Sequence, residues 1–133
     1  MNHYRFARWT ALTTGAPLCA LGMIHDIVNI PSLNRAAARG EIAQRLLPEL
    51  LANVAFGGLT LSLLGALLVL IAPELEKGKQ IAWRIGLTIG AFFVLAGLAA
   101  YLWLPKERVL IFSVLGGVVC GPLLIWRKEF LTE

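Results

Sequence analysis

The chain has 133 residues, of which 58% are hydrophobic and 15% are charged, and its formal net charge is +4. Soluble domains average about 45–50% apolar and about 25% charged residues, so this composition disfavours a soluble domain and favours a membrane protein. The 12 Lys and Arg residues are scattered over termini and short loops. Because they form no basic stripe, we expect no nucleic-acid partner and expect them to contact the headgroups of membrane lipids.

Four apolar runs fill most of the chain and predict four membrane-spanning helices. They cover residues 9–30, 46–72, 80–104 and 109–126. A helix crosses the hydrocarbon core with about 20 residues, with a range of about 17–25. The connections between the runs are too short to form a soluble domain. The sequence therefore predicts a single membrane domain, residues 1–133, folded as an all-α four-helix bundle.

The first run follows a basic N-terminal segment, as in a signal peptide. However, it exceeds the usual 7–15 apolar residues and has no clean small-residue cleavage site, so we expect an uncleaved span. Pro31 is expected to end this span, because proline disfavours helix in the residue before it. The loop 31–45 contains Ala36-Ala37-Ala38 between arginines, which favours a short amphipathic surface helix.

Prolines and tryptophans mark the other predicted ends. Pro48 opens the second span, and Pro73 and Pro105 follow the second and third. The segment 127–133 is predicted to be a tail that is polar apart from Phe130 and Leu131. Indole rings favour the headgroup layer of a membrane. All four tryptophans lie near predicted ends: Trp9, Trp83, Trp103 and Trp126.

The distribution of basic residues predicts the orientation. An even number of spans places both termini on one side of the membrane. Lys and Arg are more frequent on that side than on the other, by seven to five. The positive-inside rule therefore favours cytoplasmic termini, and we expect an integral protein of the inner or plasma membrane.

Each predicted span has a stripe of small residues at spacings of three, four or seven, which places them on one helix face. Such stripes let backbones approach closely in lipid. They indicate helix association, within the chain or in a homo-oligomer or larger membrane complex. The stripes are Ala11, Gly15, Cys19 and Gly22; Gly58, Ser62, Gly65 and Ala66; Ala82, Gly86, Gly90 and Gly97; and Ser113, Gly117 and Gly121.

Polar residues near the loop 31–45 form the candidate site. Ionisable groups within spans usually face the bundle or a wet cavity and often serve function. Residues four apart share a helix face, and the ends of the first two spans lie on the same membrane side. We therefore expect a polar cluster there, for which any catalytic role is unknown. Its members are His25, Asp26, Asn29, Glu49, Asn53 and Tyr101.

Structural roles compete with a functional one at each position. Glu49 lies in a first helical turn, where the helix dipole favours a carboxylate. Asp26 has Arg39 or Arg45 as candidate partners, and Asn29 is a candidate helix cap. His25 is either a satisfied structural histidine or a proton carrier or haem ligand.

The two cysteines, Cys19 and Cys120, lie inside spans at different depths, which disfavours a disulfide. No Cys/His spacing typical of a metal site occurs, so we expect no metal centre, and the identity of any cofactor stays open.

Three functions remain open. The first is an accessory or structural membrane protein, favoured by the stripes and the few polar residues. The second is a binder or enzyme for a lipophilic small molecule, with haem or proton-transfer chemistry at His25. The third is a proton-coupled transporter. The size and four-span plan resemble the small multidrug exporters, which depend on an acid in the middle of the first span, but residues 14–21 contain none.

Overall fold

The computed structural model describes residues 2–103 and 107–131, with the side chain of Arg108 left aside. The described residues are 91% helical, with five α-helices and no strand. The prediction of an all-α protein is confirmed. The helices are α1 (His3–Ala38), α2 (Leu47–Glu76), α3 (Gln80–Trp103), α4 (Ile111–Ile125) and α5 (Arg127–Phe130), with 3₁₀ turns at Gln44–Leu46 and Glu107–Leu110.

Three helices are long and apolar enough to cross a membrane: α1, α2 with the turn before it, and α3. Helix α4 is a shorter apolar helix of 15 residues. Four spans and a single membrane domain therefore stay predictions. The predicted end of the third span at residue 104, and Pro105, lie outside the described residues.

By its contacts the chain divides into two compact units. The first contains Met1–Gly15 and Leu67–Glu133, and the second contains Ala16–Ala66. The first unit holds the ends of the chain with α3, α4 and α5. The second holds most of α1 and the first part of α2.

The predicted helix end at residue 30 is wrong, and so is the separate surface helix in the loop 31–45, whereas the bounds of the first span, 9–30, stay a prediction. Helix α1 passes through both Pro17 and Pro31 and ends at Ala38. A proline removes one backbone hydrogen bond from the helix. The neighbouring residues retain their own helical hydrogen bonds only if the helix continues beyond the proline. The alanines after Pro31 favour helix, so α1 extends by two turns.

Glycines end the two longest helices. Gly40 and Gly78 both have a φ of 75°, a left-handed conformation that other residues adopt only with strain. At each, two backbone N–H groups donate back to the last helical turn: Gly40 to Ala37 and Glu41 to Ala36, and Gly78 to Leu75 and Lys79 to Glu74. This Schellman pattern carries α2 past Pro73 to Glu76. Since α3 begins at Gln80, the second glycine produces a tight helical hairpin.

Small residues bring α3 and α4 into backbone contact. Gly86, Gly90 and Gly97 are buried on the face of α3 that meets α4, as the predicted stripe requires. A Cβ atom at Gly90 would lie 2.5 Å from Cys120 Sγ and 3.0 Å from the Gly116 carbonyl oxygen. The space therefore exists only for a hydrogen atom.

Of the three residues in the predicted stripe of α4, one contacts α3, and an association of the other two with another chain stays a prediction. Ser113 faces α3 and donates a 3.0 Å hydrogen bond to the Val94 carbonyl. At Gly117 and Gly121, by contrast, an added Cβ would meet nothing within 4 Å. The contact face of α4 follows Ser113, Gly116 and Cys120 instead, because Gly116 lies against the backbone of α3.

Trp83 is buried, with 9% of its surface exposed, so its ring contacts protein, and its predicted level in the headgroup layer stays a prediction. Its indole Nε1 donates a 2.7 Å hydrogen bond to the Leu123 carbonyl. This carbonyl belongs to the last turn of α4, where the helix itself supplies no donor. Trp83 therefore caps α4, whereas Trp9 and Trp103 are 54% and 87% exposed.

Phe130, one of the two apolar residues of the C-terminal segment, is fully buried. The ring of Tyr4 meets Phe130 edge to face with centroids 5.1 Å apart, and the Tyr4 hydroxyl donates to the Glu129 carbonyl at 3.1 Å. The ring of Trp126 contacts His3 and Phe6. The start of α1 thus holds α5 in place.

An ion pair joins the start of α1 to the end of α2 in the same unit. Arg8 Nη1 lies 2.6 Å from Glu76 Oε2, and Arg5 Nε lies 3.4 Å from Glu76 Oε1. These side chains remain partly exposed, so water and salt screen the attraction. The pair therefore sets position more than it adds stability.

Neighbouring glycines of α4 provide a test of the backbone contact. In Gly116→Ala the new Cβ would lie 2.5 Å from the Gly90 carbonyl oxygen and 2.7 Å from Val94 N. We expect it to lower the free energy of unfolding by about 1–3 kcal/mol, as overpacking does. Gly117→Ala is the matched control and should leave stability unchanged or slightly higher. Unfolding in mixed detergent micelles measures both, and equal losses would contradict the assigned face.

Candidate functional site

In the second unit α1 and α2 cross at backbone contact. A Cβ at Gly22 would overlap the Gly58 carbonyl oxygen and the Ser62 hydroxyl, and would lie 2.6 Å from Ser62 N. The Ser62 hydroxyl donates to the Cys19 carbonyl at 3.2 Å. This crossing fixes the height at which the polar residues one turn further along α1 meet α2.

Asp26 lies directly after the crossing and packs against α2. Its carboxylate occupies the position that a Cβ at Gly58 would take. The side chain is 26% exposed. The lack of a side chain at Gly58 is therefore what admits a carboxylate to this helix interface.

His25 flanks the same glycine pair. Its Nδ1 lies 3.2 Å from Asp26 Oδ1, a distance at which a protonated Nδ1 donates to the carboxylate. A Cβ at Gly57 would lie 3.8 Å from the Cε1 of His25, so the ring is close to α2 without being enclosed by it. The imidazole is 37% exposed, and its Nε2 has no hydrogen-bond partner among the described residues.

Asn29 lies one turn after His25 and uses its amide locally. Its Nδ2 donates a 2.7 Å hydrogen bond to the His25 carbonyl. Because α1 continues to Ala38, Asn29 is not a helix cap, and that prediction is wrong. The bond satisfies the amide within α1 and holds it beside His25.

Two of the predicted members, Glu49 and Asn53, start α2 and are exposed. Glu49 lies in the first turn of the helix, as its dipole role requires. No hydrogen bond or ion pair joins either residue to His25 or Asp26 within the part of the chain that is described. Tyr101 belongs to α3 of the other unit and is 37% exposed.

Asp26 does not pair with the arginines expected for it. Arg39 donates instead to Glu41, with its Nε 2.5 Å and its Nη2 3.0 Å from the two carboxylate oxygens. This hydrogen bond raises the pKa of Arg39 above its ordinary value. The carboxylate of Asp26 is left with His25 as its polar neighbour.

The observed site is thus smaller than the predicted cluster and is centred on the His25–Asp26 pair. Sequence reasoning missed Gly57, which the ring of His25 approaches, and treated Gly58 and Ser62 only as small packing residues. A Gly-Gly pair in an apolar helix was the available signal for a close approach. The pair can exchange a proton or present Nε2 to a ligand. No group of three His, Cys, Asp or Glu side chains suited to a metal ion occurs in the described residues.

Comparison with known proteins gives no match to a family model, to a curated sequence or to a solved structure. Any functional assignment therefore depends on the geometry of the chain itself.

The adjacent glycines of α2 allow a test of the Asp26 position. In Gly58→Ala the methyl group takes the place of the carboxylate, so we expect the Asp26–His25 contact to break. In Gly57→Ala the methyl group makes ordinary contact with the ring and the pair should persist. Nitrogen chemical shifts of ¹⁵N-labelled imidazole report this, with His3 as the reference.

Asp26→Asn should change the His25 shifts in the same sense as Gly58→Ala, because both remove the carboxylate from Nδ1. Unchanged His25 shifts in Gly58→Ala, in a protein whose circular dichroism remains helical, would contradict the described packing.

Proposed function

We propose that this chain is an integral membrane protein that crosses the bilayer four times and acts as a small accessory or oligomeric component of the membrane. The observation that carries this proposal is the amount of apolar surface left uncovered. In the most apolar 18-residue window of α2, only 17% is buried, and the corresponding value for α1 and for α3 is 28%. Exposure of this apolar surface to water is unfavourable in free energy, whereas contact with lipid tails or other spans is not.

The lengths of the helices support four crossings. At 1.5 Å per residue, α3 with 24 residues is about 36 Å long, which exceeds the hydrocarbon core of about 30 Å. Helix α4 alone is about 22 Å long. The 3₁₀ turn Glu107–Leu110 before it adds about 8 Å, so the two together match the core.

The polar groups support an accessory role better than catalysis. Seven Ser, Thr and Asn side chains of the described helices donate to backbone carbonyls: Thr10 to Ala7, Thr13 to Trp9, Asn29 to His25, Ser32 to Val28, Ser62 to Cys19, Thr88 to Arg84 and Ser113 to Val94. The bonds of Ser62 and Ser113 join two helices, the other five lie within one helix, and none of the seven donors is left for a reaction. Large apolar side chains, in contrast, are presented outward.

Site-specific photo-crosslinking in native membranes tests this role. Benzoylphenylalanine at Phe56, Phe92 or Trp9 replaces an aromatic side chain that is 69%, 47% or 54% exposed. We expect at least one helix face to give a discrete adduct, at twice the mass of the chain or with one protein partner. The other faces, which contact lipid, are the internal controls. A chain that forms no protein adduct at any of these positions and is monomeric by native mass spectrometry would refute an accessory or oligomeric role.

The His25–Asp26 pair supports a second candidate, a binder for a lipophilic small molecule. The Asp26 carboxylate accepts a hydrogen bond from Nδ1 of His25. The Nε2 of this partly exposed imidazole can then serve a ligand, either as a proton carrier or as an axial ligand to haem. An intramembrane ionisable pair is a functional hypothesis by default.

Hemin titration of the purified protein tests the haem version. The chain has only two histidines, so His3→Ala is a matched control for His25→Ala. Axial ligation predicts a shifted Soret band that saturates near one hemin per chain, persists in His3→Ala and disappears in His25→Ala. No shift in the unaltered protein, or a shift that survives in His25→Ala, would exclude His25 as the ligand.

A further inference from the structure

A surface groove lies at the junction between α4 and α5. It has a volume of about 620 Å³ and is lined by Leu124, Ile125, Arg127, Lys128 and Leu131. The apolar members are exposed, at 54%, 75% and 39% for Leu124, Ile125 and Leu131. Two cationic side chains thus adjoin an exposed apolar wall at the end of an apolar helix.

The groove is held by tertiary contacts of the first unit. The chain turns at Trp126, whose φ of −100° and ψ of 20° interrupt the helix. Burial of Phe130 against Tyr4 and the hydrogen bond from Tyr4 to the Glu129 carbonyl then fix α5. Since Arg127 and Lys128 begin this helix, their positions beside Leu124 and Ile125 are set before any ligand arrives.

The surrounding charge favours an anionic ligand. At this end of the first unit, the described residues include seven Lys and Arg and three Glu. Glu76 pairs with Arg5 and Arg8, Glu74 pairs with Lys77, and Glu129 lies 3.4 Å from the Nε2 of His3. Basic side chains thus outnumber acidic ones among the described residues of this end, and their net charge is positive.

We propose that this groove binds an anionic phospholipid, with the phosphate on Arg127 and Lys128 and an acyl chain along Leu124, Ile125 and Leu131. Arginine and lysine both bind phosphate, and each basic side chain near a membrane surface contributes about 1 kcal/mol to the attraction of anionic lipid. The apolar wall distinguishes a lipid from a soluble anion. This inference rests on the proposed membrane insertion.

Native mass spectrometry from detergent micelles tests the groove. Phosphatidylglycerol is titrated against phosphatidylcholine, and the bound lipids on each chain are counted. The double variant Arg127→Gln/Lys128→Gln should weaken phosphatidylglycerol binding by about 10- to 30-fold, since it removes two such attractions. Phosphatidylcholine binding should be unchanged.

Two variants make the result specific. Lys79→Gln/Arg84→Gln removes two exposed basic residues near the start of α3, at the same end of the first unit, and should weaken binding by less than about threefold. Arg127→Lys/Lys128→Arg keeps the charge and should retain binding. Equal losses in the two neutralised variants would show a diffuse surface attraction and overturn the groove. No preference for phosphatidylglycerol in the unaltered chain would also overturn it.

Flotation with vesicles of pure phosphatidylcholine separates this inference from the proposed function. A chain that resists carbonate extraction from these vesicles but shows no phosphatidylglycerol preference is inserted and lacks the lipid site. A chain that carbonate releases is not inserted, and both proposals then fail.

Discussion

Contact between helix backbones, made available by glycine, is the constraint on which the other features depend. In the first unit Gly90 and Gly116 meet where α3 and α4 pack, and in the second Gly22 and Gly58 meet where α1 and α2 pack. In the proposed lipid environment, leucine gains little by leaving lipid for another leucine, so dispersion between closely placed backbones and a few hydrogen bonds would provide the attraction. Hydrogen bonds cross both interfaces: Ser113 and Trp83 donate across the first, and Ser62 donates across the second.

The close approach of α1 and α2 also positions the His25–Asp26 pair. Asp26 would have no room on the α2 side if Gly58 carried a side chain, and His25 would lose the carboxylate that orients its ring. The polar pair is therefore a consequence of how the helices pack. Its partial exposure keeps Nε2 accessible, which is the feature that distinguishes it from the polar groups bonded to carbonyls.

The ends of the first unit are held by aromatic packing and ion pairs, not by contact between glycines. Tyr4 and Phe130 hold α5 against the start of α1, and Arg8 holds Glu76. Each contact joins residues far apart in the chain. The position of the cationic edge at Arg127 and Lys128 is set by these contacts.

The sequence by itself determined the helical class, the apolar runs and the small-residue face of α3, because these depend on composition and on the 3.6-residue period alone. It could not decide which face of α4 is used, since Ser113–Gly117–Gly121 and Ser113–Gly116–Cys120 both have helical spacing. The partner α3 decided that, through its contact at Gly116. Likewise, Pro31 and Pro73 predicted helix ends at residues 30 and 72. Both helices instead continue to the turns at Gly40 and Gly78, because the residues around each proline retain their backbone hydrogen bonds only in a continuous helix. The burial of Trp83 and Phe130 and the approach of Asp26 to Gly58 were decided only by tertiary structure, because each depends on a residue far away in the chain.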